Sequence, residues 1–281
     1  MNIKPQDYNT SYKPTWCPCC GDFGIWTAIK NALSELDIAP HNVVITYDIG
    51  CIGNMASAVK CYGFHSLHGR ALPVAVGAKL ANPKLTVLSI VGDGGMYGEG
   101  TNHLIHSARY NVDVNLIVAN NHSFSLTTGQ SSPTSEKGYV TKTTPWGEIK
   151  KPINPIALSL SSGSSFVARA VAFNIKHMTE MIKQAIEHKG FSHVDVLQQC
   201  LTFNKVNTVE WMKDKVYELE KPISSLETAL NKALEQDKLP IGIFYKEDKK
   251  SYSEELDFSA NVCAVEQTIK FDKNSLLSEY V

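Results

Sequence analysis

Two short apolar runs with one helix-length stretch between them constrain the fold of this 281-residue chain more than any other feature. Leu85-Thr-Val-Leu-Ser-Ile-Val91 is rich in β-branched residues, as buried strands are, and ends on the flexible Gly92-Asp93-Gly94-Gly95. His103 to Tyr110 can form a helix, and Val112 to Ala119 a second strand that closes on Asn120-Asn121. Strand, helix and strand in this order make a βαβ unit, whose crossover is nearly always right-handed and joins parallel strands. Asp93 and Asn120-Asn121 therefore leave the sheet at the same edge, where they can meet one ligand.

The residue types at that edge suit a magnesium ion carrying a diphosphate. Mg2+ is small and hard, takes octahedral oxygen ligands, and draws few of them from side chains, leaving the rest to carbonyls, water and phosphates. Asp93 and Asn121 supply two such oxygens, and the glycines beside Asp93 let the backbone come close to a phosphate. Gly-Asp-Gly by itself is more often an ordinary turn at a strand end. Followed by Asn-Asn at the end of the next strand, it resembles the thiamine diphosphate motif. That resemblance adds the backbone carbonyl of Ser123 to Asp93 and Asn121 as metal ligands.

Composition excludes several function classes. Hydrophobic residues make up 43% of the chain, enough for a substantial core, and the formal net charge is -1. No run of like charges marks a nucleic-acid partner, and no apolar run approaches the roughly eighteen residues of a membrane span. The N-terminal segment has no apolar core of signal-peptide length, so a soluble, cytoplasmic protein is expected. The chain has 7 cysteines, an odd number without an export signal, which argues for buried thiols or metal ligands rather than a disulfide framework.

Cys17-Pro18-Cys19-Cys20-Gly21 places two thiols, Cys17 and Cys20, in one tight turn, a spacing that suits a single metal or cluster. A redox pair of the thioredoxin kind needs a preceding strand, and the polar segment before Cys17 does not supply one. A zinc knuckle needs a second close pair, which is absent from the sequence. An iron-sulfur cluster needs four thiolates, which can be scattered. Cys51 follows the apolar run Asn42 to Tyr47, and Cys200 follows His193 to Leu197, so both stand at strand ends where ligands collect in α/β sheets. Each alone is more often a small buried hydrophobe. Cys61 and Cys263 have no such placement, and Cys19 lies within the turn.

Taken in order, Cys17-x-x-Cys20-Gly-Asp-Phe-Gly24, Asp48-Ile-Gly-Cys51, Leu67-His-Gly-Arg-Ala-Leu-Pro73, Gly77 to Pro83, Gly92-Asp93-Gly94, Asn120-Asn121, Leu126 to Thr134, Phe166-Val-Ala-Arg169 and Cys200-x-Thr-Phe-Asn204 resemble the β subunit of 2-oxoacid:ferredoxin oxidoreductases. The resemblance covers roughly residues 14 to 250 and is specific as a set. It implies an α/β fold, a mostly parallel sheet with helices on both faces, of the thiamine diphosphate-binding kind. It implies thiamine diphosphate, Mg2+ and one 4Fe-4S cluster as cofactors, with the cluster on Cys17, Cys20, Cys51 and Cys200. Ile49, Gly50, Cys51, Ile52, His68, Gly94, Gly95, Ser125 and Leu126 then surround the thiamine cofactor. His68 can donate a ring N–H to a phosphate oxygen, although a histidine in a small-residue loop is by default a solvated one. The chain departs from many relatives at Cys19, where glycine is usual, at Gly95, where an acidic residue is common, and at Asn54, where a basic residue is frequent near substrate or coenzyme A.

The expected activity is oxidative decarboxylation of a 2-oxoacid with coenzyme A, electrons passing through the cluster to ferredoxin. No catalytic side chain is assigned here: the glutamate that activates the thiamine ring is expected from an obligate α subunit, because this chain holds only one domain of the required pair. The alternative is a subunit of a non-redox thiamine enzyme, a decarboxylase or ketolase, with structural cysteines. Further along, 176–188 has the apolar spacing of a helix with one buried stripe and precedes strand 193–197, giving at least four parallel strands. Residues 135–156 read as a long irregular segment over the site. Residues 1–205 are expected to form the cofactor domain and 206–281 a helical and extended appendage, with helices at Val209 to Leu219 and Ser225 to Asp237 and an extended piece at Pro240 to Tyr245.

Overall fold

The computed structural model describes residues 2–235 and 237–256, together with Cys263, Glu266 and Ser278. In chain order the helices are α1 (Asp22–Glu35), α2 (Ala71–Ala81), α3 (Thr101–Tyr110), α4 (Pro155–Ser161), α5 (Ile175–Glu187), α6 (Val209–Lys215), α7 (Leu226–Ala233) and α8 (Tyr252–Glu255). The strands are β1 (Val43–Tyr47), β2 (Tyr62–His65), β3 (Thr86–Gly92), β4 (Asn115–Asn120), β5 (Phe166–Val171), β6 (Ser192–Leu197), β7 (Val216–Glu218) and β8 (Leu239–Lys246). They form one sheet in the order β2-β1-β3-β4-β6-β5-β8-β7. Every pairing is parallel except β5 with β8.

Helices cover both faces, and the strands show why. Side chains alternate across a strand, so Leu88 and Ile90 of β3 face one core with Ile25, Ile29 and Leu33 of α1 and Met178 and Ile182 of α5. Val87 and Val91 face the other core, with Leu72 of α2 and Leu104 and Ala108 of α3. The strands β4, β5 and β6 are buried at every residue, which explains the apolar runs 116–119 of β4 and 166–168 of β5.

The expected βαβ unit is α3 between β3 and β4, and helix 176–188 is α5, with Met178, Met181, Ile182 and Ala185 buried along one stripe. Asn174 caps α5 by accepting from the backbone N–H of His177 at 3.2 Å. Several elements went unassigned at the level of sequence: helices α1, α2, α4 and α8, the exposed edge strand β2, and β5, which holds the Phe166 to Arg169 motif. The helix expected over 209–219 stops at Lys215, because Val216–Glu218 pairs with Leu239–Ile241 instead. Val216 and Tyr217 favour a pleated, half-buried surface, and a strand partner outweighs helical continuation. The segment after residue 205 thus adds β7 and β8 to the same sheet, while most of it beyond residue 256 lies outside the described residues. No described helix is long and apolar enough to cross a membrane.

Burial at the sheet centre also sets an acid limit on stability. His193 is fully buried, and burial holds its imidazole down at about 4 against an ordinary 6.5. His188 is shifted the same way, first by burial and then by Lys246. The unfolded chain takes up a proton as pH falls through 6.5, while the folded chain resists until about 4, so stability present at neutral pH is lost across that window. Lowering the pH from 7 to 5 is expected to cost about 2 kcal/mol through His193. Urea unfolding at the two pH values, with His193→Gln as control, checks it; an equal loss in the variant contradicts it.

Candidate cofactor and metal site

Four parallel strands lie side by side as β1, β3, β4 and β6, with Tyr47 opposite Ile90, Gly92 opposite Ala119 and Asn120 opposite Leu197. Their C-terminal turns, Asp48–Cys51, Asp93–Gly95, Asn121–Ser125 and Gln198–Cys200, therefore stand in a row on one edge of the sheet. A cavity of about 310 Å3 opens there. It is lined by Ile49, Gly50, Cys51, Ile52, His68, Asp93, Gly94, Gly95, Asn121, Ser123, Ser125 and Leu126, so every residue expected around the thiamine cofactor or its metal meets at one place.

Asp93 is buried, and burial raises its carboxyl above the usual range although hydroxyl donors oppose the shift. Ser132 and Thr134 each donate to its Oδ2 at 2.6 Å. Asn121 Oδ1 accepts from the Ser123 backbone N–H at 3.0 Å, and its carbonyl accepts from Asn204 Nδ2 at 3.0 Å. The Ser125 hydroxyl is buried, has no partner and lines the cavity. A buried carboxylate, oriented carbonyl-bearing turns and an unpaired hydroxyl suit a hard cation with a phosphate group, which would supply charge and acceptors that the protein alone lacks.

Gly95 has a specific local cause. A Cβ built on it would lie 1.6 Å from Asp48 Oδ2, so the Asp48 carboxylate fills the space that any side chain at 95 would need. Asp48 is wholly buried; its Oδ1 accepts from the Gly69 N–H at 2.7 Å, and its Oδ2 lies 3.5 Å from His68 Nδ1. Burial raises the Asp48 carboxyl, against the lowering effect of His68 and the Gly69 N–H. His68 Nδ1 also sits 3.0 Å from the Ile49 carbonyl, and Nε2 lies 3.3 Å from Glu99 Oε2, so the ring is held at the cavity wall. Gly95→Ala is expected to destabilise the fold by about 1–3 kcal/mol through overpacking. Thermal unfolding checks this, and an unchanged midpoint would show that Asp48 moves aside freely.

A second cavity, about 220 Å3, adjoins the first and is lined by Cys17, Cys20, Cys51 and Cys200. Both are bounded by Cys51, Asn121, Ser125, Leu126 and Gln198. The Cys17–Cys20 turn is closed by a Cys20 N–H to Cys17 carbonyl bond of 3.1 Å and tied to β6's end by Gln198 Nε2 to Cys20 Sγ at 3.4 Å and Gln199 Nε2 to the Cys19 carbonyl at 3.3 Å. Trp16 Nε1 donates to the Cys51 carbonyl at 2.7 Å, fixing the third cysteine against the N-terminal segment. Burial, then the Asp22 carboxylate, pushes the Cys51 thiol up to about 12, and Cys20 is raised further by the same two causes. A raised thiol holds little thiolate, so these cysteines are poor nucleophiles without a positive partner.

Among the described residues no group of three or more His, Cys, Asp or Glu side chains is gathered tightly enough for a single metal ion. A four-iron cluster binds each cysteine through a different iron, so its thiols surround a volume instead of a point. Four thiols around one small cavity fit that demand.

Cys19 lines neither cavity; it is exposed and has φ 61°, a left-handed conformation that glycine adopts without cost. Cys19→Gly is therefore expected to leave iron content unchanged and to stabilise the turn slightly; loss of iron from this variant would make Cys19 a ligand. Cys61 is half-buried outside both cavities, and the Cys263 thiol donates to the Ala81 carbonyl at 3.4 Å. Asn54 lines the second cavity.

Sequence reasoning missed Asp22, Gln198, Ser132 and Thr134. Asp22 lines the first cavity and is buried; its Oδ1 lacks a partner, its Oδ2 accepts from the Cys20 thiol at 3.5 Å, and burial pushes its carboxyl up to about 7. The only signal for these residues was their position inside the quoted motifs or next to Cys200.

Known proteins resemble this chain over most of its length. Residues 48–196 match the family described as thiamine pyrophosphate enzyme, C-terminal TPP binding domain, and residues 200–261 match the family of the C-terminal part of the pyruvate ferredoxin oxidoreductase beta subunit. The 2-oxoacid:ferredoxin oxidoreductase subunit beta of Saccharolobus solfataricus is 44% identical over 249 residues, 83% of this chain and 82% of that one. 2-oxoacid:ferredoxin oxidoreductase 1, subunit beta, of Aeropyrum pernix is 39% identical over 262 residues, 88% of this chain and 82% of that one. The solved structure of the 2-oxoglutarate:ferredoxin oxidoreductase from Magnetococcus marinus, with 2-oxoglutarate, coenzyme A and succinyl-CoA bound, has a TM-score of 0.92 at 36% identity and covers 99% of this chain and 96% of its own. With sequence matched over most of both chains and fold over nearly all of them, this chain belongs to the β subunits of the thiamine-dependent 2-oxoacid:ferredoxin oxidoreductases.

Proposed function

We propose that this β subunit, joined to an obligate α subunit, oxidatively decarboxylates a 2-oxoacid, transfers the acyl group to coenzyme A and passes electrons through a 4Fe-4S cluster to ferredoxin. The observation that carries this reading is the wall shared by the two cavities, with Cys51 on both sides. Thiamine diphosphate, when bound, supplies the electron sink for cleavage next to a carbonyl. Asp93, Asn121 and the Ser123 carbonyl hold Mg2+, which takes up the diphosphate charge. His68 and the Ser125 hydroxyl face the cofactor from the cavity wall. Ile49, Gly50, Ile52 and Leu126 exclude water around it, and the small Gly94 and Gly95 admit it closely.

Cys17, Cys20, Cys51 and Cys200 carry the cluster, so the residue that borders the cofactor cavity also ligates the electron acceptor. Seven free cysteines accord with a reducing, cytoplasmic setting. The ring-activating glutamate is supplied by the α subunit.

The reading is tested by coexpressing the chain with its partner and purifying the complex anaerobically. About four irons and four sulfides per β chain are expected, with Mg2+-dependent uptake of thiamine diphosphate. A colourless complex holding zinc sinks the cluster. Full 2-oxoacid oxidation by the isolated β chain sinks the obligate partnership.

A further inference from the structure

Asp93 is fixed by an unusual amount of buried polar structure for one carboxylate. Ser132 and Thr134 reach it from the irregular segment after Asn121, and both are buried. The Ser132 backbone N–H donates to Ser135 Oγ at 2.8 Å, and Ser135 Oγ donates to the His122 carbonyl at 2.7 Å, closing the segment onto the Asn121 turn. Thr134 has one hydroxyl hydrogen and two acceptors, Asp93 Oδ2 at 2.6 Å and Asn120 Oδ1 at 3.0 Å.

The orientation of Asn120 is fixed in turn. Its Nδ2 donates to the Asp195 carboxylate at 3.2 and 3.4 Å, so Oδ1 must point towards Thr134. Asp195 is held by the Tyr97 hydroxyl, which donates at 2.9 Å, and by Arg169 Nε at 3.5 Å, and all three are buried. Arg169 is the charged residue of the Phe166 to Arg169 motif, and it neutralises a carboxylate that would otherwise be isolated in the sheet.

We propose that Ser132 and Thr134 are positioning residues of the metal site, donating to Asp93 Oδ2 so that Oδ1 meets Mg2+, with Asn120 Oδ1, oriented by Asp195, as the alternative acceptor for the single Thr134 hydrogen. This rests on Asp93 being a magnesium ligand. Carboxylate ligands are commonly oriented by such donors, and losing one typically weakens metal affinity by about 10–100-fold. A purely structural role, satisfying a buried carboxylate, would lower stability but leave the Mg2+ requirement of the folded protein unchanged.

The experiment uses the αβ complex stripped of Mg2+ with a chelator. The Mg2+ concentration giving half-maximal thiamine diphosphate binding is followed by fluorescence. Thr134→Val, which keeps shape and removes the hydroxyl, is expected to raise it by about 10–100-fold. Thr134→Ser restores the wild-type value, and iron content is the same in all three. Ser132→Ala is expected to move the same quantity in the same direction and serves where the valine variant does not fold. A wild-type Mg2+ requirement in the folded Thr134→Val or Ser132→Ala variant overturns the proposal. A wild-type complex that binds thiamine diphosphate without Mg2+ overturns the parent metal site, and is told apart because no substitution is needed to see it.

Discussion

Asp93→Ala is expected to remove Mg2+-dependent thiamine diphosphate binding while the fold survives. Asp93 directly follows β3 in the turn row and is the only carboxylate among the three groups proposed to hold the metal. Losing a donor that merely orients a ligand costs about 10–100-fold in affinity, so losing the anionic ligand itself is expected to cost more than about 100-fold. Folding is spared for local reasons. The substitution deletes a carboxyl whose charged form burial already disfavours. Thr134 keeps Asn120 Oδ1 as acceptor, and Ser132 Oγ keeps Thr134 and Ser135 hydroxyls within 3.2 and 3.4 Å. Equilibrium dialysis of cofactor together with thermal unfolding of the unliganded complex separates the two effects. Tight Mg2+-dependent binding in the variant would place the metal elsewhere.

Cys51→Ser is expected to have the second large effect, and it differs in kind. Cys51 borders both cavities, so its loss should collapse iron and sulfide from about four each per chain to near none and abolish electron output. Thiamine diphosphate binding should persist, because Asp93, Asn121 and Ser123 are untouched. Cys61→Ser, at a thiol outside both cavities, is the control. Iron and sulfide analysis beside cofactor binding reads both. Full iron in Cys51→Ser would remove this thiol from the cluster.

How far the site was legible in the sequence depended on how locally each part is encoded. The β3-α3-β4 unit was visible because a β-branched run, a glycine stop and a helix-length spacer all lie within 36 residues of Leu85 to Asn120. The convergence of Cys17 with Cys200 has no local signal; only the family resemblance joined them, and the Gln198 and Gln199 hydrogen bonds to the Cys17–Cys20 turn show how they meet. Gly95 stood out in the sequence only as a departure from relatives with an acidic residue there, whereas Asp48 fills the space from a neighbouring strand end. Ser132 and Thr134 were invisible as donors because short hydroxyl residues in a loop are ordinary, and their target lies about forty residues away, as the separations of 39 and 41 show. The false end of the helix at 209–219 has the same origin: β8 lies too far along the chain for its pairing with Val216–Glu218 to register in a local pattern.

The central claim, that a thiamine site and a cluster share one wall and work together, is most directly tested by freezing the anaerobic αβ complex after adding 2-oxoacid and coenzyme A and recording its electron paramagnetic resonance spectrum. A reduced 4Fe-4S signal is expected only when thiamine diphosphate and 2-oxoacid are both present, and is expected to be absent from Asp93→Ala. Carbon dioxide release with the cluster remaining oxidised would contradict it.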